Sequence, residues 1–136
     1  MIFIDSWVLI GFFSEGIEFE KAKNIIGKIV KGEKAVISAM VLAELKYRIA
    51  KKYSIGRSNE AIFKIQSLPN VEILPVSTEV AILAADLRIK YYDKEKRPLS
   101  FADVINLATA IMTKCDKFYS GDPDFKNVEE IETAIL

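Results

Sequence analysis

The chain has no histidine among its 136 residues and one cysteine, Cys115. Without imidazole there is no histidine general base, no Ser-His-Asp or Cys-His nucleophile, and no His-containing zinc site. With one thiol there is no intrachain disulfide and no thiolate cluster, so Cys115 reads as a small core or helix-end residue. Net charge is also lacking: 19 Lys and Arg balance 19 Asp and Glu. Any surface that attracts nucleic acid must therefore be local rather than a property of the whole chain. There is no repeat, low-complexity segment or inter-domain linker. The apolar start, MIFIDSWVLIGFF, contains Asp5 and no leading Lys or Arg. It is a poor signal peptide and too short to span a bilayer, so the expectation is a cytoplasmic chain. Hydrolytic chemistry would have to run on carboxylates, hydroxyls, Lys, Arg or a metal ion.

What is present is a globular composition, 51% hydrophobic and 28% charged, at a length that suits one domain over residues 1–136. Short apolar runs alternate with segments of helical spacing. Strands are expected at Met1–Ile4, Ala35–Ile37, Val71–Val76, Lys117–Tyr119 and Val128–Ile131. Helices are expected at 7–13, 19–30, 39–53, 58–68, 78–92 and 100–114. The segment from Phe19 shows the pattern well, with Ala22, Ile25, Ile26 and Ile29 on one side. Strand–helix alternation predicts an α/β domain whose mostly parallel sheet is covered on both faces. In such folds the site lies beyond the carboxyl ends of the strands.

Carboxylates gather at that edge. Asp5 follows the first strand, Asp122 follows the fourth, and Asp103 opens the helix leading into the fourth. Glu44 lies six residues past Ser38, roughly 9 Å along a helix. It reaches the edge only if that helix leans over it. Each acid also has a local reading. Asp5-Ser6 fits a turn and cap, and Ser100-Phe101-Ala102-Asp103 fits a capping box. Asp122-Pro123 fits a cap followed by proline at the first helical position, and Glu44 fits an exposed pair with Arg48. As a set, the acids would repel and raise one another's pKa. A hard divalent cation relieves that, and Mg²⁺ and Mn²⁺ prefer oxygen ligands.

At these residues the sequence resembles the PIN-domain ribonucleases, and among them the VapC-type toxins of toxin–antitoxin pairs. The matching pieces are IFIDSW, ISAMVLAELKYR, LSFADVINLATAI and FYSGDPDF, spread over nearly the whole chain. The resemblance implies a three-layer α/β/α fold with sheet order 3-2-1-4-5. It implies metal-dependent RNA cleavage with Mg²⁺ or Mn²⁺ as cofactor. By motif it carries over Asp5, Glu44, Asp103 and Asp122 as catalytic acids, with Asp5, Asp103 and Asp122 as metal ligands. Ser6 and Ser120 match the family's supporting polar positions, and Asp124 an additional outer acid. Trp7 departs from the pattern, being bulky for the rim of the site. The resemblance also implies a homodimer and a small VapB-like antitoxin protein. Phe12, Phe13, Phe63 and Tyr91-Tyr92 are aromatic candidates for an interface or for the core.

RNA contacts need cations. Lys46, Arg48, Lys51, Lys52 and Arg57 form one cluster; Lys90, Lys94, Lys96 and Arg97 form another. Both also read as ordinary solvated charge. Arg48, Lys51, Lys52 and Arg97 are the expected RNA contacts. Two other functions compete. A phosphoaspartyl phosphotransferase would use Asp5 as nucleophile, but wants an acid where Trp7 stands. A receiver-like or inactive PIN module would only bind a partner. The receiver form wants an acid where Pro75-Val76-Ser77 lies, and an inactive PIN module would be expected to lack some of the four acids.

Overall fold

The computed structural model describes residues 1–136. Its sheet is built from β1 (Ile2–Ile4), β2 (Ala35–Ser38), β3 (Val71–Leu74), β4 (Lys117–Ser120) and β5 (Glu132–Ile135). The order is β3-β2-β1-β4-β5, and every neighbouring pair is parallel. The helices are α1 (Ser6–Phe13), α2 (Phe19–Val30), α3 (Ala39–Lys52), α4 (Ile55–Ser67), α5 (Thr78–Tyr91) and α6 (Phe101–Met112). They flank the sheet in a three-layer α/β/α arrangement. No helix is long and apolar enough to cross a membrane.

Burial follows from strand position. β1 and β2 are covered along their whole length, as expected of short apolar runs with helices on both faces. The edge strands β3 and β5 are only partly covered. Parallel pairing sets Phe3 beside Phe118, whose rings stack at 5.1 Å. Phe118 in turn packs on Phe125 at 4.7 Å. Phe125 closes a one-turn 3-10 helix (Pro123–Phe125), so a fully buried ring ties the loop after β4 to the core.

Two expected elements are displaced. The fifth strand is Glu132–Ile135, not Val128–Ile131. Val128 and Ile131 are buried and so look strand-like, but they pack from a loop. Pairing with β4 begins at Glu132, opposite Lys117, where the two side chains form a 3.0 Å ion pair. α4 begins at Ile55 rather than Ser58. Ser54 caps it by accepting from the Arg57 amide, and this outweighs the helix-weakening Gly56. The Ser58 hydroxyl instead donates to the Ile55 carbonyl. β3 stops at Leu74, where Pro75 supplies no ladder donor.

Candidate metal-dependent active site

Asp5, Glu44, Asp103 and Asp122 line one cleft of about 330 Å³ at the carboxyl edge of the central strands. Ser6, Trp7, Arg48 and Lys52 line it too. Each acid reaches the cleft by a different local device.

Asp5 is the residue between β1 and α1. Its amide donates to the Tyr119 carbonyl, which continues the β1–β4 ladder by one residue. It stands at the N-cap position, yet its side chain makes no capping bond. The carboxylate instead accepts from Ser120 Oγ (2.8 Å) and Asn106 Nδ2 (3.3 Å). The residue is 4% exposed. Burial pushes its pKa up to about 7; the Ser120 bond opposes this, and the Glu44 and Asp103 charges add to it.

Asp103 sits in the first turn of α6. The local capping reading holds: Ser100 Oγ accepts from the Asp103 amide, and the Asp103 carboxylate accepts from the Ser100 amide at 2.8 Å. That box leaves the carboxylate on the cleft wall, so capping and lining coexist. Partial burial raises its pKa, the Ser100 bonds hold it back, and the Asp122 charge raises it further.

Asp122 caps the 3-10 turn, accepting from the Asp124 amide at 2.9 Å, while its own amide donates to Ser120 Oγ at 3.1 Å. Ser120 is wholly buried and so joins Asp5 to the Asp122 backbone through one hydroxyl. Asp124 lies outside the cleft lining. Slight burial raises its pKa, and the Asp122 and Asp103 charges do the same, against the pull of Arg97.

Glu44 is the acid whose placement depended on the lean of its helix. α3 packs against both α1 and α6, and this brings Glu44 to the cleft. Burial raises its pKa, with the Asn106 bond opposing. Arg48 forms no ion pair with it within 4 Å, though its charge does lower the Glu44 pKa.

Asn106 is the residue the sequence reading passed over. It is fully buried on α6, one turn beyond Asp103. Its amide nitrogen donates to both Asp5 and Glu44 (2.9 Å), and its oxygen accepts from Ser38 Oγ. One side chain thus joins the ends of β1 and β2, α3 and α6. The available signal was an asparagine on the buried side of the apolar run VINLATA, where a helix interior disfavours it. Asn106→Leu should lower stability by about 1–3 kcal/mol, since buried Asp5 and Ser38 and half-buried Glu44 all lose their bond. Thermal melting against wild type measures this, and an unchanged midpoint would remove Asn106 from the account.

The expected cations divide. Arg48 and Lys52 line the cleft, and Lys51 does not. Arg97 donates to the Lys126 carbonyl at 2.6 Å and covers the Tyr91 ring, so it braces two loops.

The donors around the cleft are all oxygens, which suits a hard divalent ion. No three Asp, Glu or Cys side chains converge tightly enough to cage an ion alone. An ion held at these acids would have to complete its shell with water, as Mg²⁺ commonly does.

A sequence model of the PIN domain matches residues 2–131. No curated protein matches the chain in sequence. Among solved structures, the Mycobacterium tuberculosis toxin VapC20, described as a sarcin–ricin loop cleaving toxin, superposes with TM-score 0.80 at 18% identity, covering 96% of this chain and 98% of that one. VapBC2 from Rickettsia felis, bound to a promoter DNA fragment, gives TM-score 0.78 at 17% identity over 100% and 99% of the two chains. A toxin–antitoxin complex from Klebsiella pneumoniae gives 0.72 at 21% identity over the full length of both.

Proposed function

The chain belongs to the PIN-domain family, and from that premise we propose that it is a metal-dependent ribonuclease, the toxin of a toxin–antitoxin pair. Residues 1–136 would form one such domain acting in the cytoplasm. The observation that carries the reading is the cleft itself. Asp5, Glu44, Asp103 and Asp122 line it together, and three of them have raised pKa values through burial beside one another. Such a cluster is costly when ionised and is relieved by a cation.

Asp5, Asp103 and Asp122 would hold Mg²⁺ or Mn²⁺, partly through water. A bound ion of this kind supplies a water of lowered pKa and offsets charge developing on a phosphodiester. The chain's own groups do the rest. Glu44, bonded to Asn106 and half-buried, orients the attacking water and accepts its proton. Ser120 and Asn106 hold the Asp5 carboxylate in one orientation. Ser6 lines the cleft with Glu44 and favours its ionised form. Asp124 serves as an outer acid beside Asp122.

Arg48 and Lys52 stand on the cleft wall and suit flanking phosphates of the RNA. Lys52→Glu should weaken RNA binding and reduce the slope of log K against log salt by roughly one to two contacts' worth. Lys51→Glu should do so less, because Lys51 is not part of the cleft lining. Equal effects from both, measured by fluorescence anisotropy over a salt series, would assign the cations to general attraction only.

A small VapB-like antitoxin and a second copy of the chain complete the proposed assembly. The support for the antitoxin is the fold shared with the R. felis VapBC2 and K. pneumoniae toxin–antitoxin structures. The deciding experiment is cleavage of RNA by wild-type protein with Mg²⁺ or Mn²⁺, beside EDTA and beside Asp103→Asn. Metal-dependent cleavage lost in the variant supports the reading; equal activity in all arms overturns it.

A further inference from the structure

Trp7 is the one tryptophan in the chain, and it lies where an acidic site offers little reason for it. It lines the cleft directly after Asp5 and Ser6, and with Ile10 supplies the only large apolar surface there. It is only partly buried. On its covered side it lies over Gly121. A Cβ added at Gly121 would fall 2.0 Å from Trp7 Cε2, 2.3 Å from Cζ2 and 2.4 Å from Cδ2. The backbone does not explain that glycine, since Gly32 is the only glycine with a positive φ. The residue between Ser120 and Asp122 is glycine because the indole occupies the space. The ring, carried two residues after Asp5, thus packs on the segment that carries Asp122.

A phosphodiester held at these acids brings its nucleobases to the surrounding rim. A base edge can hydrogen-bond to polar groups, but its flat face is covered only by another flat surface such as an aromatic ring, and unpaired bases are those free to stack there. A ring already fixed on one side loses little freedom when it stacks on the other. We infer that Trp7 is the stacking platform for one nucleobase of single-stranded RNA, next to the phosphate held at the acidic cleft. The inference rests on the ribonuclease reading and adds a base-contacting residue to it. Stacking tolerates any base, so Trp7 sets a preference for unpaired RNA rather than for a sequence.

Because the chain has one tryptophan, its fluorescence reports this contact alone. The cleavage-deficient Asp103→Asn protein is titrated with a single-stranded RNA dodecamer, with the same strand in a duplex, and with inorganic polyphosphate of matched charge. The expected result is quenching by the single strand, with little from the duplex or from polyphosphate. In the active protein, Trp7→Leu should raise KM roughly tenfold with kcat nearly unchanged, and Trp7→Phe should restore most of the loss. Equal quenching by polyphosphate would overturn the inference. So would a Trp7→Leu protein that melts lower but binds the dodecamer as tightly as wild type, since the ring would then be only a prop. If Trp7→Leu does not fold, the fluorescence arms and Trp7→Phe still decide. Cleavage without selective quenching removes this inference and keeps the ribonuclease reading. Quenching without metal-dependent cleavage in wild type does the reverse.

Discussion

Asp103→Asn should lose at least about a hundredfold in RNA cleavage rate and still melt within a few degrees of wild type, by analogy with the loss of a metal-supporting group. The two halves have separate causes. The carboxylate's structural task is to accept from the Ser100 amide in the capping box, and the amide oxygen of asparagine can accept the same bond. Its proposed chemical task is to bring negative charge to a cation, which asparagine does not. Asp5→Asn should fail in the same way, because Asp5 is the most buried acid of the cleft. Single-turnover cleavage at saturating Mn²⁺ and thermal melting together make the test. Wild-type rates in both variants would end the assignment of these acids. Loss of rate together with loss of fold would instead make them structural.

The metal-free protein should become less stable as pH rises from about 4 to above 7. Asp5 is held up to about 7 in the folded chain, against an ordinary value of 3.8, chiefly by burial. Across that range the native state binds the Asp5 proton more tightly than the unfolded chain does. The contribution is complete below the unfolded value and is lost as pH climbs through the folded one; for a fully buried group it amounts to about 4 kcal/mol. Glu44 and Asp103 are raised as well and push in the same direction. It follows that Asp5→Asn should melt higher than wild type at pH 8 in EDTA. A divalent ion binds the ionised cluster, so added Mg²⁺ should recover stability most at pH 8 and least at pH 6. At tenfold over its dissociation constant the gain is about 1.4 kcal/mol. Calorimetric scans at the two pH values, with and without metal, decide the matter. Stability that rises from pH 5 to pH 8 without metal would mean Asp5 is not a strained buried acid.

The capping reading and the site reading of the acids are not alternatives. Asp103 and Asp122 each satisfy helix-start amides and also line the cleft. Asp5 stands at a cap position but spends its side chain on Ser120 and Asn106. The loop SGDPDF therefore owes its turn to Asp122-Pro123 and its position to Phe125, buried against Phe118. Arg97 also has a structural role. Its place in a charged loop suggested RNA contact, and its guanidinium is engaged by the Lys126 carbonyl.

What the sequence determined by itself was the alternation of elements, the parallel α/β class, the strand-end positions of Asp5 and Asp122 and the helix-start position of Asp103. These depend on apolar periodicity, caps and chain direction, which act over a few residues and so can be read locally. The tertiary structure alone decided that α3 leans far enough to bring Glu44 in, and that Asn106 bonds Asp5 across 101 residues of sequence. It also decided that Trp7 rests on Gly121 and that β5 starts at Glu132. Each of these is a contact between segments distant in the chain. Its geometry is set by how whole elements pack, and no local propensity carries that information.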